Sequence, residues 1–330
     1  MRITPFDPRA ATDRDYAAMA VFHNTIRAEI VPDDPPIPLE ERVQGWRNMP
    51  AFVRVWAWNV WHPDGTSLIA SGNVNFLDKD ENRHLARFDI AVVPEFRRRG
   101  LARRLLGLVA EVPRREARRL LIATTHGAIP AGDAFIRRLG GHMALAFHTN
   151  QLDLREVDRD LLRRWRERAA ERAADFELGV WEGELPEEEI EEIAVMFEAL
   201  NRAPRGDLEE EDEHWTPEQI RLWEQADLAR GNQPWSMYVR QKGSRRIAGW
   251  TDVGWNPNRP EILQQRGTAV FPEFQNRGLG RWLKAAMLEK VLRERPQVRY
   301  VRTGNADMNQ PMLKINRELG FTPFRSHYAW

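Results

Sequence analysis

A nine-residue segment that occurs twice constrains the fold of this chain more than any other feature. Residues 94–102 read PEFRRRGLA, and residues 272–280 read PEFQNRGLG, 178 positions further on. A second pair of segments, IASG at 69–72 and IAGW at 247–250, matches at the same separation. A constant separation of this size indicates the duplication of a whole domain, because arrays of short repeats have periods of about 20–50 residues.

The duplication predicts two domains of similar length. We expect an N-terminal domain over residues 1–155 and a C-terminal domain over residues 175–330. Residues 156–174 contain strong helix formers and neither Gly nor Pro, which predicts a connecting helix. Each copy interleaves strand-like and helical patterns. The order predicts an α+β fold in which each domain has a mixed, mostly antiparallel sheet flanked by helices.

Composition limits the classes of function. The 330 residues include no cysteine, so disulfides, thiolate metal sites and a cysteine nucleophile are excluded. Lys+Arg and Asp+Glu balance at 49 each, which argues against a nucleic-acid or membrane partner because both need a basic surface. The sequence has neither a membrane-length apolar run nor a signal-peptide pattern, so we expect a cytoplasmic protein. We expect no bound metal, because no His, Asp or Glu cluster has metal-ligand spacing.

The repeated segment has the pattern of an anion-binding turn. In the second copy a strand ends at Val270, Pro272 stops its ladder, and Gly278 lets the backbone turn directly into a helix. A helix N-terminus that the backbone approaches closely attracts phosphate. The spacing matches neither G-x-x-x-x-G-K-[ST] nor G-x-G-x-x-G. A plain turn before a helix is the alternative, and its occurrence twice at matching positions argues against it.

With these motifs the chain resembles the GCN5-related N-acetyltransferase (GNAT) family, in particular two-domain actinobacterial members such as mycothiol synthase. In that family Arg/Gln-x-x-Gly-x-Gly/Ala binds the pyrophosphate of acetyl-CoA, and the preceding strand holds the pantetheine arm. The resemblance covers nearly the whole chain and implies acetyl-CoA as co-substrate. In the first copy it implies binding by Val92, Val93, Arg97, Arg98, Arg99, Gly100, Leu101, Ala102 and Arg103. In the second copy it implies binding by Ala269, Val270, Gln275, Asn276, Arg277, Gly278, Leu279, Gly280, Arg281, Asn305, Asn309 and Asn316.

The catalytic positions depart from the family pattern in both copies. Many relatives protonate the leaving thiolate with a Tyr, which corresponds here to Ile136 and Asn316. Many deprotonate the amine with a Glu on the strand before the motif, which corresponds by register to Phe88 and Arg266. Catalysis remains compatible with these changes, because a thiolate is a tolerable leaving group and water can carry a proton. Our catalytic candidates, all placed in the second copy, are Glu261, Asn316 and the carboxylate of Trp330.

Two functions follow from the resemblance. The first is an acetyl-CoA-dependent N-acetyltransferase that acts on the primary amine of a small molecule, as a monomer or homodimer. The second is a non-catalytic protein that binds or senses acyl-CoA with degenerate acceptor sites. The intact glycine turns and the asparagines of the second copy favour the first function. They also favour a catalytic C-terminal domain and an N-terminal domain that binds acetyl-CoA structurally.

Overall fold

The computed structural model describes all 330 residues and divides into two compact units. The first unit contains Met1–Ala144, Gln225–Arg230 and His327–Trp330, and the second contains Leu145–Glu224 and Gly231–Ser326. Both units combine a mixed sheet with helices, which confirms the predicted α+β class. None of the helices is both long and apolar enough to cross a membrane.

Five strands of the first unit pair in chain order. The first four are antiparallel to their neighbours, and β4 and β5 are parallel. The end of the chain adds to this sheet, because His327 to Ala329 pair antiparallel with β5. The elements are β1 (Ile3–Phe6), α1 (Asp13–Ile30), α2 (Leu39–Arg47), β2 (Val53–Trp61), β3 (Leu68–Leu77), β4 (Leu85–Val92), α3 (Leu101–Arg115), β5 (Leu120–His126) and α4 (Pro130–Arg138).

The second unit repeats this order of elements. Strands β7 to β10 are antiparallel, β10 and β11 are parallel, and β11 pairs antiparallel with β6. From residue 145 onward the elements are β6 (Leu145–Asp153), α5 (Arg159–Arg172), β7 (Phe176–Glu182), α6 (Ile190–Phe197), α7 (Pro217–Ala229), β8 (Gln233–Gln241), β9 (Ile247–Trp255), β10 (Ile262–Val270), α8 (Leu279–Glu294), β11 (Tyr300–Ala306), α9 (Gln310–Glu318) and β12 (Thr322–Ala329), and the last residues of α7 and of β12 belong to the first unit.

The two copies exchange their final strands. Strand β6 ends the first sequence copy, yet its residues pair with β11 of the second unit. The last residues of β12 end the second copy, yet they pair with β5 of the first unit. The compact units divide before β6, between residues 144 and 145, and the domain boundary expected at residue 155 stays a prediction.

Each unit has its own apolar core on the sheet. In the first unit, Val109 and Val112 of α3 pack against Val74 and Phe76 of β3. In the second unit, α8 supplies a fully buried stripe that packs on the sheet together with Trp165 of α5. The predicted connecting helix is present as α5, and its buried face belongs to this second core. Helices α3 and α8 are thereby fixed against their sheets, with their N-termini at the ends of β4 and β10.

Candidate functional site

The two repeated segments have the same backbone conformation. We call residues 94–103 the first loop and residues 272–281 the second loop. Each starts with a short 3₁₀ turn over Pro-Glu-Phe and ends in a glycine with left-handed dihedrals, Gly100 at φ 78° and Gly278 at φ 84°. Two residues earlier, Arg98 and Asn276 also have positive φ values of 63° and 64°. Glycine adopts positive φ without the strain that a side chain adds, which explains why both copies have it at the residue before the helix.

Both loops leave a helix N-terminus open. Helices α3 and α8 begin directly after Gly100 and Gly278, and neither has a side-chain cap on its first N–H groups. A Cβ atom built on either glycine meets nothing within 4 Å. Leu101 and Leu279 are buried first-turn residues that anchor the two helices, and Ala102 and Gly280 follow them. Unpaired N–H groups at the positive end of a helix dipole are suited to an anion such as a phosphate.

A gap between two parallel strands lies beside each loop. In the first unit β4 and β5 pair only up to Phe88 and Ala123, although β4 stays paired with β3 as far as Val92. In the second unit β10 and β11 pair only up to Gln265 and Thr303. Beyond these positions one edge of β4 and of β10 pairs with no strand, although the carbonyls of Val92 and Val270 accept from the side chains of Arg97 and Gln275. An extended amide chain can pair with such an edge, as the resemblance implies for pantetheine.

The first loop offers several cations. Arg97 is engaged elsewhere, since it donates to both carboxylate oxygens of Glu29 at 2.6 and 2.7 Å and to the carbonyl of Val92 at 3.0 Å. Arg99 donates to the carbonyl of Glu95 at 2.9 Å. Arg98, Arg103 and Arg104 are exposed and have no acidic partner. Glu29 therefore offsets the charge of Arg97, whereas Arg98, Arg103 and Arg104 have no acidic partner.

The second loop is less positive. Gln275 donates to the carbonyl of Val270 at 3.2 Å, and Asn276 is exposed. Arg277 is paired with Asp175 at 2.9 Å. Arg281 donates to both carboxylate oxygens of Glu318 at 3.0 Å. Charge therefore favours the first loop over the second for a ligand with several phosphates.

Two of the three predicted asparagines meet in the second unit. Asn316 donates from Nδ2 to Oδ1 of Asn305 at 2.7 Å, and Asn150, which the sequence did not single out, donates to the same oxygen at 3.2 Å. Asn316 is 1% exposed, and its Oδ1 is buried without a partner. Asn309 is instead the N-cap of α9, since its Oδ1 accepts from the N–H of Met312. The orphan oxygen of Asn316 is suited to a ligand N–H.

Of the catalytic candidates, Glu261 lies away from the second gap and Trp330 belongs to the first unit. Glu261 is exposed and precedes Ile262, the first residue of β10 that pairs with β11, so it lies at the closed end of these strands. Trp330 belongs to the first unit, where its indole N–H donates to Oγ1 of Thr125 at 2.8 Å and its backbone pairs with Ala123. Glu261 therefore lies at the opposite end of β10 from the gap, and the catalytic roles expected of Glu261 and Trp330 stay predictions.

A carboxylate that the sequence did not indicate lies at the first gap. Asp89 is the first residue of β4 beyond the last pair with β5, and it has no hydrogen-bond or ionic partner. Its neighbours Phe88 and Ile90 pack towards α3, so Asp89 faces the other side of the sheet. The side chain is exposed, yet the surrounding protein desolvates it and raises the pKa of the carboxyl. This combination is typical of a group on the floor of a cleft.

In the second unit, the Trp250 ring fills the face of β10 that is equivalent to the Asp89 face of β4. Gly267 stands three residues before Val270, as Asp89 stands before Val92, and a Cβ built on Gly267 comes within 2.5 Å of the Trp250 ring. Trp250 is 1% exposed and donates from its indole to the carbonyl of Met196 at 3.0 Å. A short 3₁₀ helix, Glu198–Arg202, also contacts β10. The indole therefore occupies the space that Asp89 borders in the first copy.

A buried polar cluster lies at the apex of the second gap. Lys284 of α8 is 1% exposed and donates to Oε1 of Gln265 at 3.3 Å. Gln265 in turn donates to Oγ1 of Thr251 at 2.6 Å and of Thr268 at 3.2 Å. Burial lowers the pKa of the Lys284 amine to about 7. No group of three or more His, Asp or Glu side chains in the structure is arranged to hold a metal ion.

The sequence matches a family model twice. The acetyltransferase (GNAT) family matches residues 22–140 and residues 194–321, which together make up more than half of the chain. Each match contains one loop, one gap and the helix that follows. The chain belongs to the GNAT acetyltransferase family. Two GNAT copies in tandem account for the repeated loops and for the two splayed strand pairs.

Solved structures agree with a tandem GNAT fold. A tandem GNAT protein from the clavulanic acid biosynthesis pathway superposes with a TM-score of 0.78 at 24% identity, covering 100% of this chain and 97% of that chain. A GCN5-related N-acetyltransferase from Sphaerobacter thermophilus gives a TM-score of 0.66 at 16% identity, covering 99% and 94%. No curated protein matches the sequence significantly. At these identities the structural likeness defines the fold alone.

Proposed function

We propose that this GNAT protein is an acetyl-CoA-dependent N-acetyltransferase that acts on the primary amine of a small molecule. Family membership supports an acyl-CoA-dependent N-acyltransferase in general. The observation that carries the finer proposal is Asp89, an unpartnered carboxylate on the strand that leads from a splayed gap into a phosphate-suited loop. A thioester held along that strand would present its carbonyl near this carboxylate.

Donor binding is proposed for the first loop. Three exposed arginines in the first loop and the first turn of α3, Arg98, Arg103 and Arg104, supply charge for the phosphates of acetyl-CoA. The uncapped N–H groups of α3 supply hydrogen bonds to the pyrophosphate. The free edge of β4 beyond Phe88 holds the pantetheine amides as an added strand would be held.

Acyl transfer then requires a neutral amine at the thioester carbon. An ammonium group binds beside Asp89 by charge attraction and loses its proton to the carboxylate, directly or through one water. The raised pKa of Asp89 makes it a stronger base than an ordinary aspartate. The nitrogen lone pair forms the new C–N bond, the C–S bond breaks, and the thiolate leaves. The acylated nitrogen still carries a second proton, which passes through water to the thiolate because Ile136 supplies no acid at this step, and Asp89 releases the first proton to solvent.

The acceptor is proposed to be polar as well as cationic. Asn73 pairs across the sheet with Asp89, and Ser71 pairs with Asn59, so these side chains share one face. Oδ1 of Asn59 is buried without a partner. A hydroxyl or amide N–H of the acceptor would satisfy that oxygen, and an apolar amine would leave it unpaired.

The second copy is proposed to bind acyl-CoA without turnover. This reverses the expectation from sequence that the C-terminal copy is catalytic. The supporting observation is Trp250, whose ring fills the face of the gap that an acceptor would need. The second loop keeps the backbone of the first, which supports retained ligand binding.

Thiol release over a panel of small primary amines tests this proposal. The chain has no cysteine, so a thiol reagent reports only the CoA that turnover releases. We expect at least one polar amine to give turnover, and Asp89→Asn to lower kcat by on the order of 10²-fold or more, the usual size of a general-base contribution.

The matched control is Asp80→Asn, because Asp80 is an exposed aspartate of the same unit whose ion pair with Arg83 lies outside the gap. It is expected to keep the wild-type rate. Tight acetyl-CoA binding without thiol release for any amine would contradict the enzymatic proposal and favour a binding or sensing role. An unchanged rate in Asp89→Asn would remove Asp89 from the mechanism.

A further inference from the structure

Three side chains of the second unit form a continuous hydrogen-bonded chain that acyl-CoA binding does not use. Ser326 Oγ lies 3.0 Å from Nε2 of His148, and Nδ1 of the same imidazole lies 2.6 Å from Oδ1 of Asp307. Both distances are within the range of good hydrogen bonds. Each imidazole nitrogen therefore has one partner, a hydroxyl on one side and a carboxylate on the other.

The exchanged strands bring these residues together. His148 lies on β6 directly across from Asn305 of β11, and Asp307 follows the end of β11. The N–H of Asp307 donates to the carbonyl of Ala146 at 3.1 Å, which fixes the carboxylate beside the imidazole. Ser326 lies on β12. Regular strands hold His148 and Ser326, and the backbone hydrogen bond to Ala146 fixes Asp307 in the turn that follows β11.

The order of the hydrogen bonds defines the proton positions. A carboxylate can only accept, so Nδ1 of His148 carries the proton that Asp307 accepts. When the ring is neutral, Nε2 is the unprotonated nitrogen and accepts the hydroxyl proton of Ser326. A base that is itself oriented by a carboxylate activates serine hydroxyls in nucleophilic catalysis, whatever the fold and chain order.

The three hydrogen-bonded side chains are accessible to solvent. The side chain of His148 is 30% exposed and that of Asp307 is 48% exposed. Ser326 is partly exposed. A substrate can therefore reach the hydroxyl, and water can reach an intermediate formed on it.

From this geometry we propose that Ser326 is a nucleophile that takes an acyl group from an activated ester or thioester. His148 accepts the hydroxyl proton at Nε2 as Oγ attacks the carbonyl carbon, and the new C–O bond forms. The bond to the leaving group breaks, and His148 returns its proton to that alcohol or thiol. Water then attacks the acyl-serine, with His148 again accepting and returning one proton, and releases a carboxylic acid and free Ser326. Asp307 is a positioning residue in this scheme.

An active-site-directed fluorophosphonate tests the proposal without any acyl-CoA, so its outcome is separate from that of N-acetyl transfer. The full-length protein is incubated with the probe and digested with trypsin, and the C-terminal peptides are examined by mass spectrometry. Cleavage after Arg325 gives SHYAW, in which Ser326 is the only serine. We expect one label per chain on that residue. A burst of p-nitrophenol from p-nitrophenyl acetate should accompany it, and acetyl-CoA in the same assay distinguishes a thioester donor from an aryl ester.

Variants distinguish a catalytic role of these three hydrogen-bonded side chains from a purely structural role. Ser326→Ala should abolish labelling, His148→Gln should lower its rate by on the order of 10²-fold, and Asp307→Asn should flatten its pH dependence. Ser244→Ala is the control, because Ser244 lies in a surface turn where its Oγ accepts only from the N–H of Arg246. It should label as the wild type does.

A second variant keeps the test decisive if Ser326→Ala disturbs β12. Ser326→Cys creates the only thiol in the chain, and His148 should accelerate its alkylation by iodoacetamide relative to Ser244→Cys. Wild-type protein that takes no label at Ser326, or a Ser326→Cys thiol no more reactive than the Ser244→Cys thiol, would overturn the proposal.

Discussion

Replacement of Lys284 by Met should stabilise the protein at neutral pH and lose that advantage at alkaline pH. Lys284 is 1% exposed, and its amine has no carboxylate partner, only Gln265 Oε1 at 3.3 Å and the ring of Phe321 at 5.5 Å. Burial lowers its pKa from 10.5 to about 7. The first copy has Leu106 at the equivalent position after its loop, so an apolar residue is compatible with this fold.

The size of the effect follows from that lowered pKa. Each tenfold change in an acid constant corresponds to about 1.4 kcal/mol, so at pH 7 neutralising the amine on folding costs roughly 4 kcal/mol. Met removes this cost but leaves Oε1 of Gln265 without its donor, which costs about 1–3 kcal/mol. We therefore expect a net gain of roughly 1–3 kcal/mol at pH 7. As pH rises towards 10.5 the unfolded chain also loses the proton, so the gain should shrink and then vanish.

Chemical unfolding followed by tryptophan fluorescence between pH 6 and pH 10 measures this difference. The control is Lys290→Met on the same helix, because Lys290 is paired with Glu182 at 2.7 Å and with Glu294 at 2.5 Å and its pKa is raised. A lysine whose pKa is raised by folding adds a constant amount to the free energy of unfolding at every pH below its pKa in the unfolded chain. The Lys290→Met variant should therefore be less stable than the wild type throughout pH 6–9. A Lys284→Met difference that does not change with pH would refute the reasoning.

Three further outcomes are expected. The wild-type acetylation rate should fall as pH falls through the raised pKa of Asp89, and Asp89→Asn should lose this pH dependence in rate assays. The same variant should unfold at a higher denaturant concentration near pH 7, because it lacks the desolvated carboxylate. Gly267→Ala should lower stability by about 1–3 kcal/mol in equilibrium unfolding, because its Cβ meets the Trp250 ring at 2.5 Å. Deletion of residues 328–330 should lower the thermal midpoint of unfolding, because Trp330 is 6% exposed and its backbone pairs with β5. An unchanged midpoint together with a loss of acetylation would instead support a catalytic role for these residues.

The loops and the fold class could be predicted from sequence because they depend on local pattern. A glycine that must adopt positive φ is recognisable in the sequence by its fixed distance from the preceding proline. The duplication repeats that distance, at Gly100 and Gly278. The alternation of apolar residues, the proline at each strand end and the helical stripe of α8 are also local. Their agreement at matching positions was sufficient for the α+β class and the GNAT resemblance.

Partners across strands could not be predicted in the same way. The register that puts Asp89, and not Phe88, at the open edge of β4 depends on where β5 stops pairing. A strand pattern also does not identify the neighbouring strand, so the sequence did not predict that β6 pairs with β11 or that the last residues of β12 pair with β5. His148 is 159 residues from Asp307 and 178 from Ser326, so no local motif joins these residues.

The central claim is that both loops bind acetyl-CoA and that the first copy performs the transfer. Calorimetric titration and single-turnover thiol release, measured on Gly100→Glu and Gly280→Glu in parallel, test it most directly. A glutamate in either loop repels the phosphates, so each variant should bind one equivalent of acetyl-CoA where the wild type binds two. The account predicts that Gly100→Glu loses turnover and that Gly280→Glu keeps it. Turnover lost only in Gly280→Glu, or unchanged stoichiometry in both, would contradict it.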